Sequence, residues 1–282
     1  MPSSAWLPVP RRRTRRRCSA VRQAAFIGFD ATTMSGANQV FEDDGAAAIY
    51  DAFNQWSAGD DFYRALARQS GGRVLDLGCG TGMLACRIAS DGRDVTGVDP
   101  AEAMLRVARA RPGADEVTWV NSNGQRLDLT QRFDLIYMTG HAFQALLTDE
   151  DVLAVLSNVV RHLAADGRFA FETRNPAAQA WRRWTPARTR TVVETAEHGR
   201  IEQCFDAVAD DRTGVVAITQ HDHYLDTGVR RAGHSRIRFI SQDHVSDLLT
   251  RAGLAAVAWY GDWDRGPFTA ASREIIAVTR GA

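Results

Sequence analysis

The sequence contains no lysine, and all 34 of its basic residues are arginine. A mechanism that forms a Schiff base on a lysine amine is therefore excluded. No apolar run approaches the ~18 residues that a membrane-spanning helix needs, so a transmembrane protein is excluded as well. Cysteines are few and show no CxxC pair, so a disulfide framework is not indicated and we expect a cytoplasmic location. These cysteines are Cys18, Cys79, Cys86 and Cys204.

The charge is unevenly distributed, although the formal net charge of the 282 residues is zero. Residues 1–33 hold seven arginines and one aspartate, so the rest of the chain carries 27 basic and 33 acidic side chains. An acidic body binds polyanions poorly, which argues against a nucleic-acid partner. We predict that residues 1–33 form a disordered basic extension. A transit peptide, a nucleic-acid-binding tail and a true start at Met34 are the alternatives.

From Met34 onwards, two helical segments lead into short apolar strands that alternate with amphipathic helices. Repeated βα units of this length require parallel strands with right-handed crossovers, so an α/β fold with a doubly wound sheet is predicted. The predicted strands are residues 73–77, 94–99, 117–120, 133–138 and 168–172. The predicted helices between them are residues 82–90, 101–109 and 149–163.

After Pro176 the apolar residues recur at every second position, which predicts a small antiparallel β insertion of four strands before the last helix and strands. A helix at 242–252 and strands at 254–260 and 273–279 would then complete the main sheet. The predicted organisation is helices at 34–70, a sheet core at 71–186, the insertion at 187–241 and a C-terminal part of the core at 242–282.

A glycine-rich turn follows the first strand and carries the strongest chemical signal. Its glycines, Gly78, Gly80 and Gly82, are spaced GxGxG, whereas dinucleotide-binding loops are spaced GxGxxG. Asp76 lies two residues before the first glycine, where its carboxylate would repel a pyrophosphate and attract an ammonium or sulfonium group. One charge-assisted hydrogen bond is worth roughly 1.5–3 kcal/mol, enough to set this preference.

A second acidic residue, Asp99, ends the second strand about 20 residues beyond the glycine turn. An acid at this place can accept hydrogen bonds from both hydroxyls of a ribose. It can also cap a helix that starts at Ala101, with Pro100 in the first helical turn. The two roles are compatible.

Residues 76–82, followed by 98–100 and 103–105, resemble motif I and its successor in class I S-adenosylmethionine-dependent methyltransferases. The resemblance covers roughly residues 71–176. It implies a seven-stranded Rossmann-like methyltransferase sheet with an antiparallel last strand, and S-adenosyl-L-methionine as cofactor. In such enzymes the loop glycines carry the methionine moiety and the acid matching Asp99 holds the ribose. The implied cofactor-binding residues are Tyr50, Asp76, Gly78, Cys79, Gly80, Gly82, Asp99, Pro100, Met104, Asn123, Gly124 and Met138.

One of these positions departs from the family pattern, and another has an alternative role. The family has a Gly-Asp-Ala-like stretch after the third strand, where the aspartate meets the adenine amino group, but this chain reads Ser122-Asn123-Gly124. Asn123 still offers a carbonyl acceptor. Tyr50 matches a tyrosine that folds over the cofactor in small-molecule N-methyltransferases. An aromatic stripe packed on the sheet is the alternative for this region.

The segment after the fourth strand lies at the edge where the transferable methyl group should point. His141 is a candidate general base there, and Gln144 a candidate for orienting the acceptor. A hydrogen-bonded loop residue is the alternative role for His141. Glu172, at the end of the fifth strand, is the second candidate base. It could instead bind an acceptor amine or form a structural hydrogen bond with the neighbouring loop.

The sequence thus predicts transfer of a methyl group from S-adenosylmethionine to a nitrogen or oxygen of a small molecule. It contains no Asn-Pro-Pro-Tyr motif of amino-methylating DNA enzymes, and His221 and His223 lack a third metal ligand, so no metal site is predicted. The alternatives are a tRNA or protein methyltransferase, a non-catalytic regulator that binds an adenosyl ligand, and a nicotinamide oxidoreductase. The acceptor and the oligomeric state stay open.

Overall fold

A computed structural model describes residues 39–282, which form eleven strands and seven α-helices. The predicted basic extension at 1–33 lies outside these residues. The strands are β1 (Arg73–Leu77), β2 (Asp94–Asp99), β3 (Val117–Asn121), β4 (Phe133–Met138), β5 (Leu163–Arg174), β6 (Thr191–Thr195), β7 (Gly199–Asp210), β8 (Val215–Tyr224), β9 (Arg230–Arg238), β10 (Leu254–Tyr260) and β11 (Glu274–Gly281). The helices are α1 (Asp44–Phe53), α2 (Ala58–Gln69), α3 (Met83–Ser90), α4 (Glu102–Arg109), α5 (Asp149–His162), α6 (Pro186–Thr189) and α7 (Gln242–Arg251).

Seven strands form one sheet in the order β10-β11-β5-β4-β1-β2-β3. Strands β1 to β5 run parallel, and β11 runs antiparallel between β5 and β10. The predicted α/β fold, a doubly wound seven-stranded sheet with an antiparallel last strand, is confirmed. Since the parallel strands all end at one edge of the sheet, the residues that follow β1, β2 and β4 meet there.

The parallel strands are apolar because helices cover both faces of the sheet. On one face, α5 buries its stripe of Val152, Val155, Leu156 and Val159 completely. Its first turn is fixed by a capping box, in which Thr148 and Asp151 exchange hydrogen bonds. On the other face, α2 and α3 pack against β1 and β4. No helix within residues 39–282 is both long and apolar enough to cross a membrane.

Most boundaries agree with the prediction to within one or two residues, and two of the differences have a structural explanation. Strand β5 begins at Leu163, directly after α5, whereas the sequence placed its start at Arg168. A β-carbon on Gly167 would lie 2.8 Å from the carbonyl oxygen of Phe133, so this glycine lets β5 approach β4 closely and extends their pairing. Helix α4 begins at Glu102 with Ala101 as its N-cap residue, so Pro100 precedes the helix and does not lie in its first turn.

The remaining strands form a second, antiparallel sheet in the order β6-β7-β8-β9, here called the insertion sheet. The predicted small antiparallel β insertion before the last helix and strands is therefore confirmed. Two ion pairs connect β9 to other parts of the chain: Arg231 contacts Asp43 at 3.2 Å and Arg238 contacts Asp149 at 2.8 Å. The insertion sheet is thereby held beside the N-terminus of α1 and the first turn of α5.

Candidate active site

The loop between β1 and α3, residues 78–82, is here called the glycine loop. Gly78, Gly80 and Gly82 all adopt positive φ angles, of 87°, 52° and 73°, which explains the need for glycine. The amide groups of Gly78 and Cys79 donate to the carbonyl oxygen of Val98 at 2.8 and 3.0 Å, so the loop is anchored to the end of β2. A β-carbon built on Gly80 meets no atom within 4 Å, so the loop faces open space at that residue.

Asp99 connects the glycine loop to the start of α4. Its Oδ2 accepts a hydrogen bond from the Gly80 amide, and its Oδ1 accepts one from the Ala101 amide, both at 2.8 Å. Burial raises the pKa of Asp99, while these two amide donors lower it. Each carboxylate oxygen keeps a further lone pair, so the side chain can still accept ribose hydroxyls. Contact with a ribose stays a prediction.

Asp76 lies on β1, buried to 1% exposure, two residues before the first glycine of the glycine loop. Its Oδ1 has no hydrogen-bond partner within the part of the chain that the structure describes. Burial is the main cause that raises the pKa of this carboxyl to about 8; interaction with the Tyr137 hydroxyl opposes the rise, and the Asp99 carboxylate adds to it. An unpartnered carboxylate oxygen in a buried position is unfavourable unless a cation or donor reaches it. The environment of Asp76 is therefore suited to a ligand that brings a positive charge.

Three of the predicted cofactor residues have packing partners that account for them. A β-carbon on Gly82 would collide with the ring of Trp119, and one on Gly124 would lie 3.0 Å from a methyl group of Val155. Met138 is 4% exposed and belongs to the main hydrophobic core. Both glycines allow close approach of a neighbouring side chain, and cofactor contact by these three residues stays a prediction.

Two further predicted residues, Asn123 and Pro100, lie after β3 and β2. The Asn123 Oδ1 accepts a hydrogen bond from the Arg126 amide at 3.0 Å and so caps a short 3-10 turn. This bond uses one lone pair of the carbonyl oxygen that the sequence assigned to the adenine amino group. Pro100 is exposed, and its carbonyl oxygen accepts from the Asn121 side chain at 3.2 Å. Neither contact excludes a bound adenosine.

Tyr50 and Met104 line a cleft of about 290 Å³ that lies between α1 and the insertion sheet. The ring of Tyr50 meets Phe41 edge-on, with 6.3 Å between the centroids. Burial raises the pKa of the Tyr50 hydroxyl, and the charges of Asp51 and Asp99 raise it further. Tyr50 is thus close to the ribose-binding candidate, as the predicted covering role requires.

A polar bridge between α1 and the glycine loop was not predicted from the sequence. The Thr81 hydroxyl donates to Asp51 Oδ1 at 2.6 Å, and Arg111 pairs with the other oxygen of Asp51. Arg111 Nε also donates to the Thr81 carbonyl oxygen at 3.0 Å. Asp51 and Thr81 are 30 positions apart, and so are Thr81 and Arg111. No local spacing in the sequence could therefore indicate these contacts.

Replacing Asp51 by alanine should release the glycine loop from α1. We expect a melting temperature lower by a few degrees, because a loss of ~1 kcal/mol corresponds to ~2–4 °C in a domain of this size. We also expect about tenfold weaker cofactor binding, measured by calorimetry. The matched control is Asp44→Ala. Asp44 lies on α1 like Asp51, and its replacement removes only an exposed ion pair with Arg106 of α4. Equal behaviour of the two variants would contradict the anchoring role.

Glu172 of β5 is buried to 1% exposure and both of its carboxylate oxygens have donors. Oε1 accepts from the backbone amide of His141 at 2.7 Å, and Oε2 accepts from the hydroxyl of Tyr63 on α2. Burial raises the pKa of Glu172, and His141 and Tyr63 lower it. The structural hydrogen bond to the loop after β4, which the sequence left as one alternative, is present.

His141 follows β4 in a left-handed conformation with φ of 61°, which turns its backbone amide towards Glu172. Its Nε2 lies 3.0 Å from Oε2 of Glu274 on β11. An ionised carboxylate only accepts hydrogen bonds, so Nε2 carries the proton and Nδ1 is the nitrogen with the free lone pair in the neutral ring. The sequence did not predict Glu274, since it comes from a strand 133 residues away.

Gln144 is also at this edge, but both ends of its amide contact protein groups. Its Nε2 donates to the Arg238 carbonyl oxygen at 3.0 Å, and its Oε1 accepts from Arg174 at 2.8 Å. Arg174 in turn lies over the ring of Trp184, 5.2 Å from the centroid. Gln144 is 1% exposed, so it connects the loop after β4 to β5 and β9.

Comparison with known proteins agrees with this geometry. Residues 74–167 match the family model of a methyltransferase domain. The chain is 36% identical over 127 residues to a methyltransferase of Geobacillus sp. (strain WCH70), a match that covers 44% of this chain and 51% of the relative. The chain thus spans about half the length of that relative. It is 27% identical over 210 residues to the cypemycin N-terminal methyltransferase of Streptomyces sp, covering 74% of this chain and 82% of the relative.

Among solved structures, the CcbJ methyltransferase from Streptomyces caelestis superposes with a TM-score of 0.69 at 25% sequence identity. The superposition covers 83% of this chain and 96% of that protein. The strand order with an antiparallel β11, the glycine loop after Asp76 and these similarities agree with one another. Residues 74–167 therefore form a methyltransferase domain, and the chain as a whole is similar to class I S-adenosylmethionine-dependent methyltransferases.

Proposed function

We propose that this protein transfers the methyl group of S-adenosylmethionine to a nitrogen or oxygen atom of a small molecule. The observation that carries the proposal is the buried Asp76 carboxylate, whose Oδ1 has no partner among the described residues, next to a glycine loop that faces open space at Gly80. This combination favours a ligand with an ammonium or sulfonium group and disfavours a diphosphate.

The residues present fit the cofactor. Asp76 would bind its ammonium end, the backbone of the glycine loop would lie against the methionine moiety, and Asp99 would accept the ribose hydroxyls through its remaining lone pairs. When bound, S-adenosylmethionine supplies a methyl group that its sulfonium already activates as an electrophile. The protein therefore has mainly to align the acceptor, and such alignment can supply ~7–11 kcal/mol of barrier reduction.

The acceptor loses a proton when it gains a methyl group, and in this proposal His141 Nδ1 receives that proton. Glu274 holds the ring by accepting from Nε2, and Glu172 fixes the loop by accepting from the His141 amide. In this proposal His141 is the general base, while Glu172 positions it. A general base of this kind contributes about 10²–10⁴-fold.

A small-molecule acceptor is favoured over tRNA because several arginines near the insertion sheet pair with acids. Arg190 contacts Glu202 at 2.6 Å, and Arg231 and Arg238 contact Asp43 and Asp149. Their charges are therefore partly neutralised. The name of one relative specifies N-terminal methylation, which supports nitrogen as the acceptor atom. Because Cys79, Cys86 and Cys204 are free thiols, we further propose a reducing, cytoplasmic environment.

The proposed function is tested with S-adenosylmethionine that carries an isotopically labelled methyl group. The protein is incubated with this compound and a bacterial small-molecule extract, and products are analysed by mass spectrometry for the gain of one labelled methyl unit. Parallel incubations contain total tRNA or protein. Label in small molecules supports the proposal, whereas label confined to tRNA or protein, or no binding of the cofactor by calorimetry, would refute it.

A further inference from the structure

The cleft between α1 and the insertion sheet has a polar floor that the proposed function does not yet use. The floor consists of side chains on one face of β7 and β8, in which Gln203 is paired with Asp222 and Phe205 with Gln220. Strand residues two apart share a face, so Gln220 and Asp222 point the same way. Tyr50 and Met104, both predicted to contact the cofactor, line the same cleft, so a molecule bound in it would lie beside the cofactor.

Asp222 determines how the two glutamine amides are oriented. It is 4% exposed, and the Nε2 groups of Gln203 and Gln220 donate to its carboxylate at 2.8 and 2.9 Å. A carboxylate can only accept, so each glutamine must turn its NH₂ group towards Asp222. The carbonyl oxygens of both amides are then the ends left for a ligand. A molecule in the cleft therefore has to donate hydrogen bonds to them.

The charge of Asp222 is not neutralised by an ion pair within residues 39–282. Its neighbour across β8 and β9 is Arg231, but that guanidinium contacts Asp43 at 3.2 Å and lies 5.8 Å from the ring centroid of Tyr224. The residues that line the cleft carry no charge of their own. A buried, unpaired carboxylate beneath a neutral cleft gives the cleft a negative potential.

We propose that this cleft binds the methyl acceptor and selects a molecule that carries an ammonium group and hydroxyl donors, while it excludes carboxylates and phosphates. Phe53 and Phe205 would cover the apolar side of such a molecule. This inference rests on the proposed function, because the molecule in the cleft is a methyl acceptor only if the protein transfers a methyl group. The binding preference itself can be measured without methyl transfer.

The test uses three probes of the same ring size that differ in charge: glucosamine, glucose and glucuronate. Each is titrated by ligand-observed NMR against the full chain without cofactor, at pH 7 and low salt. We expect glucosamine to bind about tenfold more tightly than glucuronate, with glucose between them. In Asp222→Asn the charge is removed and one glutamine must turn its NH₂ group into the cleft, so the three affinities should agree within about twofold.

The matched control is Asp206→Asn, which removes one charge from the opposite face of the same sheet, where Asp206 contacts His221 at 2.9 Å. It should keep the wild-type order of the probes. Gln220→Leu retains the charge of Asp222 but removes the carbonyl oxygen of one glutamine, so it should weaken binding of all three probes without changing their order. This variant tests the proposal if Asp222→Asn does not fold.

The inference is overturned if glucuronate binds as tightly as glucosamine, if Asp222→Asn keeps the wild-type order, or if no probe binds at 100 mM or below. A failure of the methyl-transfer assay together with the expected probe order would contradict the proposed function and leave this charge selection standing. Label transfer to anionic products only would support the function and overturn the selection.

Discussion

Replacing Asp76 by asparagine should weaken binding of S-adenosylmethionine by about ten- to hundredfold and should at the same time make the free protein more stable. The loss follows from removing one charge-assisted hydrogen bond, worth roughly 1.5–3 kcal/mol. The gain follows because the Asp76 carboxyl is buried with a pKa raised to about 8. Ionisation is therefore easier in the unfolded chain than in the folded one.

The upward shift of the Asp76 pKa determines how the stability of the free protein depends on pH. Between about pH 4 and pH 8 the folded wild type holds a proton that the unfolded chain releases, so wild-type stability falls as the pH rises through that range. The variant lacks this group. Its advantage in melting temperature should grow from pH 5 to pH 8 and then level off, reaching at least ~3 °C.

Cofactor binding should also release protons from the wild type. Below pH 8 the Asp76 carboxyl is largely protonated and must ionise to bind an ammonium group. Calorimetry at pH 7 in two buffers of different ionisation enthalpy should therefore detect close to one more proton released by the wild type than by Asp76→Asn. The control is Asp94→Asn, an exposed residue at the opposite end of β2. Unchanged affinity in Asp76→Asn would place the cofactor elsewhere.

Asp99→Ala should weaken cofactor binding too, but with a loss of stability. Both oxygens of Asp99 accept backbone hydrogen bonds, one from the Gly80 amide and one from the Ala101 amide. Alanine would leave these two amides without their acceptors. Thermal unfolding and calorimetry on this variant and on Asp76→Asn should show stability changes of opposite sign. A melting temperature for Asp99→Ala equal to that of the wild type would contradict the bridging role of this side chain.

The second large effect is expected for His141→Gln, which should lower kcat by about 10²–10⁴-fold and leave cofactor affinity nearly unchanged. The acceptor for this assay is the one that the labelled-transfer experiment identifies. Glu274→Gln should lower kcat by about tenfold and alter the pH profile, because the amide accepts a hydrogen bond from the ring without the carboxylate charge. The control is His221→Gln, whose imidazole lies at the surface of the insertion sheet.

The nitrogen of the His141 ring that carries the proton can be determined without knowing the methyl acceptor. Nitrogen NMR of the labelled imidazole should show the proton on Nε2 in the wild type, because Glu274 accepts from that atom at 3.0 Å. In Glu274→Leu the two tautomers should become mixed. A wild-type kcat in His141→Gln, or a proton on Nδ1 in the wild type, would exclude His141 Nδ1 as the base.

The fold was largely predictable because the chain alternates short apolar strands with amphipathic helices, which is the pattern of a parallel sheet with helices on both faces. The bounds of β1, β2, β4 and β10 agree with the sequence to the residue. The start of β5 does not, since it depends on how closely Gly167 approaches the Phe133 carbonyl oxygen on another strand. Such a contact has no local signature.

The candidate site was predictable only where its residues lie in the glycine loop or near the carboxyl ends of parallel strands. Asp76 and Asp99 lie at the carboxyl ends of adjacent strands, Asp76 one residue before the end of β1 and Asp99 at the end of β2, so their approach follows from the βα pattern. Their cofactor contacts stay predictions. Glu274 and Asp51 reach the site from β11 and α1, and neither belongs to a motif. For Gly82 the motif predicts ligand contact, whereas the structure supplies a packing reason in Trp119, and a glycine pattern alone cannot distinguish these two.

The position of β11 couples the proposed general base to the packing of the sheet. Glu274 lies on the strand that enters the sheet between β5 and β10, and Ile275, Ile276 and Ala277 of that strand are fully buried. Every residue assigned to the cofactor, in contrast, precedes β5. A substitution that loosens β11 should therefore disturb the His141 ring more than it disturbs the residues assigned to the cofactor.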